Sequence, residues 1–209
     1  GLYASAERHG VLLLGGDTTH GPAYVFNIAL LGNGEKELIR LRSGARPGEL
    51  IAVTGTLGGS TAGLKLLLAG KDGFLKDHLE PRARTAVEGA AICRFAGATI
   101  DVSDGLASEV NHICAQSGTG AAIERESIPL SGHTVQSAES LGHDPYDYAL
   151  YGGEDFQIVF TIREENIPLI KKVFTDFTVV GRVTEKEEGV TLLDRGRIIP
   201  MGKGYDHFS

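Results

Sequence analysis

The chain has 209 residues, of which 42% are hydrophobic, so it can bury a core and is not a disordered protein as a whole. Its formal net charge of −7 argues against sequence-independent nucleic-acid binding, which needs a basic surface. No apolar run approaches the about 20 residues that a membrane span needs, and the two cysteines, Cys93 and Cys114, form no CxxC pair. We therefore expect a soluble cytoplasmic protein with no membrane partner, no disulfide scaffold and no zinc site.

The first 40 residues read as the end of a structural unit. The opening residues are typical of the last turns of a helix, with Gly10 as its C-cap. Apolar strands are predicted at 11–14 and 24–31, and the turn Gly-Gly-Asp-Thr-Thr at 15–19 follows the first of them. Because the helix lacks a beginning and the chain lacks an initial Met, we expect a longer protein of which this is the C-terminal part.

A polar, turn-rich stretch at 41–49 indicates a linker between two domains. Beyond it, strands and helices alternate. The predicted strands are 50–54, 121–124, 157–161 and 178–183, with a short apolar strand before Asp101 and a hairpin of 189–193 with 196–200. The predicted helices are 62–69, 82–96, 106–116 and 164–174, and residues 127–147 are predicted to be irregular with a short helix in part. Short strands and a terminal hairpin favour an α+β or mixed α/β fold over a doubly wound parallel sheet.

The stretch Ile-Asp-Val-Ser-Asp-Gly-Leu at 100–106 carries the clearest chemical signal. Asp101 and Asp104 bracket Ser103 where a strand hands over to a helix N-terminus, whose amides suit phosphate oxygens. Two carboxylates three residues apart can hold a hard cation such as Mg²⁺. Taken alone, the pattern is better explained as an ordinary helix cap with an Asp-Gly turn. Similar acidic, glycine-rich turns at 15–19 and 151–156 favour a ligand site.

Six motifs in order, covering nearly the whole chain, make the sequence resemble the thiamine-monophosphate kinase family. They are Gly-Gly-Asp-Thr-Thr (15–19), Arg-Ser-Gly-Ala-Arg-Pro-Gly-Glu (42–49), Val-Thr-Gly-Thr-Leu-Gly-Gly-Ser (53–60), Asp-Val-Ser-Asp-Gly-Leu (101–106), Tyr-Gly-Gly-Glu-Asp-Phe (151–156) and Gly-Tyr-Asp-His-Phe (204–208). Each motif is weak alone, and their order is what makes the resemblance specific.

The resemblance implies the aminoimidazole-ribonucleotide-synthetase-like fold, in which an N-terminal domain dimerises and binds ATP and a C-terminal α+β domain closes over it. Residues 1–40 would be the remnant of the first domain and residues 41–209 the second. The implied reaction is the Mg²⁺-dependent phosphorylation of thiamine monophosphate by ATP, in a homodimer. The implied residues are Asp17, Asp101 and Asp104 for metal, Gly16, Arg42 and Ser103 for nucleotide, and Glu154, Tyr205 and Phe208 for substrate.

Two alternatives stay open at this point. One is another ATP-using enzyme of the same superfamily, of the aminoimidazole ribonucleotide synthetase or selenophosphate synthetase type. The other is a non-catalytic fragment, since the N-terminal half of the family, with its further aspartates, has no counterpart in this sequence. The chemistry itself asks for positioning and charge neutralisation, because the acceptor phosphate is already anionic and needs no strong base.

Overall fold

The computed structural model describes residues 1–202, which divide into a unit spanning Gly1–Ile39 and a larger unit that begins at Arg40. In the first unit, helix α1 spans Leu2–His9 and ends at Gly10, whose left-handed conformation (φ 65°) confirms the predicted C-cap. The strands predicted at 11–14 and 24–31 are wrong for this structure, because no strand among residues 1–202 pairs with either segment. Their apolar side chains remain in solvent, with Leu12 82% and Phe26 90% exposed.

The larger unit is built on one seven-stranded sheet. Its strands are β1 (Leu50–Thr54), β2 (Ala96–Asp101), β3 (Gly120–Glu124), β4 (Ile158–Ile162), β5 (Phe177–Thr184), β6 (Val190–Asp194) and β7 (Arg197–Pro200). Their order across the sheet is β2-β4-β1-β5-β3-β6-β7. Every neighbouring pair is antiparallel except β3 with β6, which is parallel. The mixed sheet and the β6–β7 hairpin confirm the predicted fold class.

The four helices predicted in the larger unit are present with different ends, the one predicted at 164–174 being much shorter, and α3 was not predicted. The helices of this unit are α2 (Gly59–Leu68), α3 (Lys76–Leu79), α4 (Ala86–Cys93), α5 (Leu106–Ser117), α6 (Gly132–Leu141), α7 (Pro145–Tyr151) and α8 (Ile167–Ile170). Helix α4 is shorter than the predicted 82–96, since Thr85 and Glu88 form a capping box at its start. No helix among residues 1–202 is both long and apolar enough to cross a membrane.

The stretch 127–147, predicted to be mostly irregular, forms two helices whose caps are local. The Ser131 hydroxyl accepts from the Thr134 N–H at the start of α6, and Gly142 ends that helix in the left-handed conformation. The Asp144 carboxylate accepts from the Tyr146 N–H at the start of α7, and Pro145 occupies its first turn. The sequence carried these capping signals, but weak apolar periodicity concealed them.

The sheet buries side chains on both of its faces. Alternate residues of a strand point to opposite faces, so Ile51 and Val53 join one core cluster while Ala52 joins the other. Helix α5 contributes Leu106 to the first cluster. The second cluster includes Phe160 of β4. This two-sided packing fixes the end of β2 and the start of α5, where the acidic turn lies.

Phe160 should be a principal contributor to stability because its ring is fully buried and contacts the Phe177 ring edge-on. We expect Phe160→Ala to lower the free energy of unfolding by about 3–5 kcal/mol, since the cavity cannot fully collapse in a two-sided core. Urea denaturation followed by circular dichroism measures this loss. Val87→Ala on α4, at an 80% exposed position, is the control and should change the value by about 0.5 kcal/mol or less.

Candidate active site

The acidic turn after β2 is held in place by a buried carboxylate from the following helix. Asp101 ends β2 with an exposed side chain, and Gly105 is the N-cap of α5 at φ 95°. Glu109, only 2% exposed, accepts at Oε1 a 3.0 Å hydrogen bond from the Asp104 N–H. Burial raises the pKa of Glu109 and the Asp104 carboxylate adds to the rise, against backbone hydrogen bonds that lower it. Glu109 therefore fixes the turn from inside the protein.

The turn at 151–156 is joined to this first turn by backbone hydrogen bonds. The Glu154 N–H donates to the Ser103 carbonyl at 2.9 Å, and the Phe156 N–H donates to the Val102 carbonyl at 2.9 Å. A Cβ at Gly153 would overlap the Ser103 carbonyl oxygen, and one at Gly105 would lie 2.5 Å from the Gly152 carbonyl oxygen. Only glycine at these two positions permits the two turns to approach this closely.

The backbone on either side of Asp155 is in an uncommon conformation. Glu154 has φ 65° and Phe156 has φ 50°, two of the three non-glycine residues with positive φ among residues 1–202. Such residues persist only where the surroundings hold them, and they concentrate at functional sites. The hydrogen bonds to Ser103 and Val102 are part of what holds this pair.

Asp155 attaches the same turn to helix α2. Its Oδ2 accepts a 2.6 Å hydrogen bond from the Gly58 N–H, and its Oδ1 accepts a 3.1 Å bond from the Ser60 N–H. The side chain is 9% exposed. Burial raises the pKa of Asp155 to about 6, against the lowering effect of these amides, and the Asp77 carboxylate contributes to the rise. Asp155 is thus a buried, charge-bearing link between the third acidic turn and the glycine-rich turn at 53–60.

These contacts bring three of the predicted site residues to one cavity of about 810 Å³. Ser103, Asp104 and Glu154 line it together. Its other walls come from α2, α7 and the loop between α6 and α7, and they are Thr61, Leu64, Lys65, Gly142, His143, Asp144, Asp147, Tyr148, Tyr151, Gly152 and Gly153. The cavity wall therefore carries several carboxylates, one lysine and an exposed tyrosine.

The other predicted site residues lie elsewhere. Arg42 and Asp101 line a separate cavity of about 560 Å³ together with Arg40 and Thr99. Gly16 and Asp17 belong to the first unit, where the Asp17 Oδ1 accepts a 2.8 Å bond from the Thr18 N–H. Tyr205 and Phe208 lie outside the described residues. Ser103, Asp104 and Glu154 therefore line one cavity, whereas Arg42 and Asp101 line the other.

Comparison with known proteins identifies the family of this chain. Residues 46–194 match the family described as AIR synthase related protein, C-terminal domain. The chain is 38% identical over 220 residues to thiamine-monophosphate kinase of Buchnera aphidicola subsp. Acyrthosiphon pisum, covering 99% of this chain and 67% of the relative. It is 36% identical over 215 residues to thiamine-monophosphate kinase of Aquifex aeolicus, covering 100% and 67%. The chain belongs to the thiamine-monophosphate kinase family.

A solved structure of this family, AaThiL complexed with AMPPCP and TMP, superposes with a TM-score of 0.67 at 39% sequence identity. The superposition covers 80% of this chain and 53% of that one. Family and fold are thereby confirmed as the motifs indicated. The chain spans about two thirds of the length of these curated relatives and about half of the solved chain.

The residue types of the acidic turn fit a kinase's metal, although the described residues form no complete metal site. Asp101 and Asp104 offer carboxylate oxygens, the ligands that Mg²⁺ prefers, and Asp101 is exposed. Within residues 1–202, no group of three or more His, Cys, Asp and Glu side chains is arranged to hold an ion. The metal role of Asp17, Asp101 and Asp104 stays a prediction.

Glu109 and Asp155 were missed by the sequence analysis. Asp155 stands inside the motif at 151–156, in which the family resemblance points to its neighbour Glu154 as the substrate contact. Glu109 lies in the first turn of α5, where a carboxylate commonly serves only the helix dipole. In both residues the informative property is burial of a carboxylate, which local sequence does not reveal.

The pKa of Asp155 predicts how the stability of the fold depends on pH. Because the pKa rises from 3.8 to about 6 on folding, the carboxyl contributes stability that is present below pH 3.8 and lost as pH rises through 6. We compare the free energy of unfolding of the wild type with that of Asp155→Asn. We expect this difference, wild type minus variant, to fall by about 2–3 kcal/mol between about pH 4 and 7.5. Urea denaturation across this range measures the difference. A value that stays constant or grows with pH would contradict the assignment.

Proposed function

We propose that the intact protein transfers the terminal phosphoryl group of ATP to the phosphate of thiamine monophosphate, forming thiamine diphosphate in a Mg²⁺-dependent reaction. The observation that carries the proposal is the shared cavity of Ser103, Asp104 and Glu154 in a chain of this family. AMPPCP is an analogue of ATP, and a relative at 39% identity binds it together with TMP.

The acidic turn would serve the phosphate end of the reaction. Asp101, Asp104 and Asp17 would hold Mg²⁺, which when bound neutralises the charge on the phosphates that must approach each other. Ser103 would contact the nucleotide from the start of α5, with Gly16 and Arg42 as further nucleotide contacts. Glu109 would keep the Ser103–Asp104 backbone in position through the Asp104 N–H. The acceptor phosphate is anionic at neutral pH, so this chain need not supply a general base.

Glu154 would serve the thiamine end. Its carboxylate lies on the wall of the larger cavity, beside Gly153 and Tyr151, and a thiazolium ring is cationic. The last described residue, Gly202, lies against the Tyr151 ring, since a Cβ at Gly202 would be 3.1 Å from Tyr151 Cε1. The Gly202 carbonyl also accepts a 3.1 Å bond from Asn111 Nδ2. Gly202 thus lies beside Tyr151 on the wall of this cavity.

A homodimer in the cytoplasm completes the proposal. Exposed apolar side chains gather in the first unit, among them Tyr24, Val25 and Phe26, and such a surface is typical of a protein interface. Both cysteines are free thiols, as expected in a reducing compartment that also supplies ATP. A monomer in light scattering at micromolar concentration would count against the dimer.

The reaction is tested by incubating the intact protein with ATP, Mg²⁺ and thiamine monophosphate and measuring thiamine diphosphate. Formation of thiamine diphosphate, with no turnover of aminoimidazole ribonucleotide precursors or selenide, supports the proposal over the other superfamily activities. A folded intact protein that forms no product would refute the proposal. The 209-residue chain assayed alone shows whether its own residues suffice.

Asp101→Asn should lower turnover by about 10- to 100-fold in the intact protein, because it removes one negatively charged carboxylate from the proposed Mg²⁺ site. The Mg²⁺ concentration for half-maximal rate should rise, while the melting temperature stays nearly constant because Asp101 is exposed. Asp72→Asn is the matched control, as Asp72 is exposed and lines neither of the two described cavities. Wild-type turnover and Mg²⁺ dependence in Asp101→Asn would refute the metal role.

Tyr205→Ala and Phe208→Ala distinguish substrate stacking from anchoring of the tail. An aromatic face attracts a cationic thiazolium by roughly 0.5–2 kcal/mol, so loss of the stacking residue should raise KM for thiamine monophosphate and leave KM for ATP nearly unchanged. If both residues only anchor the tail, the melting temperature falls and neither constant moves selectively. Steady-state kinetics with thermal denaturation separate the outcomes, and the second outcome in both variants would exclude stacking.

A further inference from the structure

The cap of helix α2 is unusual because it comes from a distant part of the chain. The N-cap position holds Gly58, which has no side chain, in the left-handed conformation at φ 80°. The Gly58 and Ser60 amides are satisfied by Asp155, which lies 97 residues from Gly58 in sequence. Helices are ordinarily capped by a Ser, Thr, Asp or Asn at the N-cap itself. A local cap would satisfy these amides equally well without burying a carboxylate.

The cap also connects three elements that form the larger cavity. Helix α2 supplies Thr61 and Lys65 to the cavity, and the third acidic turn supplies Glu154. The neighbours of Asp155 donate their N–H groups to Ser103 and Val102 in the other direction. Asp155 therefore lies where α2, the third turn and the β2–α5 turn meet.

We propose that Asp155 is a positioning residue for the substrate end of the site, holding Glu154 in its positive-φ conformation and fixing the α2 wall against it. The inference rests on the proposed function and adds a residue to it. Two carboxylate–amide bonds on one side and two backbone bonds on the other confine residues 154–156. Without the side-chain bonds, Glu154 and Phe156 would relax toward ordinary backbone angles.

The energetics of Asp155 favour a functional role over a purely stabilising one. Burial opposes ionisation of its carboxyl, with the Asp77 carboxylate adding to that opposition, so the charged form is less favoured in the fold than in water. A buried carboxylate whose negative charge opposes folding is more typical of a functional site than of a residue that only stabilises the fold.

The test compares Asp155→Asn with Ser131→Ala in the intact protein. Asn keeps the shape of Asp155 but turns an N–H₂ group toward one of the two amides. Ser131→Ala removes the local cap of α6, a loss of the same kind at a residue that does not line the cavity. We expect Asp155→Asn to raise KM for thiamine monophosphate by about tenfold or more, the equivalent of one charge-assisted hydrogen bond. KM for ATP should change far less, and Ser131→Ala should lower only the melting temperature.

The outcomes separate this inference from the proposed function. An inactive but folded wild type would overturn the proposed function and this inference with it. An active wild type with equal KM changes for both substrates in Asp155→Asn, or none, would overturn the positioning role alone. If Asp155→Asn does not fold, Asp155→Ser, which keeps one acceptor oxygen, is measured instead. Failure of both variants to fold would show a structural role and overturn the inference.

Discussion

The close backbone contact between the two acidic turns of the larger unit is the constraint on which the site depends. Ser103 and Gly153 approach so nearly that no side chain fits between them. Once this contact forms, the N–H groups of Glu154 and Phe156 find acceptors, and the side chain of Glu154 is delivered to the cavity of Ser103 and Asp104. Two stretches 50 residues apart in sequence thereby become one surface, which a kinase of two phosphorylated substrates requires.

Two buried carboxylates support this contact from opposite sides. Glu109 holds the backbone of Asp104 from within α5, and Asp155 holds the third turn against α2. Burial raises the pKa of both, so each is kept against its desolvation cost by the hydrogen bonds it accepts. The acids expected to meet ligands behave differently, since Asp101 and Glu154 are exposed. These four carboxylates thus divide into a buried supporting pair, Glu109 and Asp155, and an exposed pair, Asp101 and Glu154.

The accuracy of the sequence predictions followed the range of the interactions involved. Strand β1 and the β6–β7 hairpin were predicted almost to the residue, because a short apolar run in the first and turn residues in the second specify them locally. The strands predicted at 11–14 and 24–31 failed because apolar sequence alone cannot make a strand without a partner for its backbone. Helices α6 and α7 were missed because their apolar pattern is weak. They form nonetheless, with Ser131 and Asp144 capping their first turns.

By itself, the sequence determined the family, through six motifs in order, and it predicted the residue types of an ATP- and metal-dependent site. It singled out Ser103, Asp104 and Glu154 as separate candidates, since each stands in a local acidic, glycine-rich turn. Only the tertiary structure decided that these three share a cavity while Arg42 and Asp101 line another. It alone revealed Asp155 as the cap of a helix 97 residues away. The reason is physical: a motif records which groups are present, whereas burial and long-range hydrogen bonds arise only when distant segments pack together.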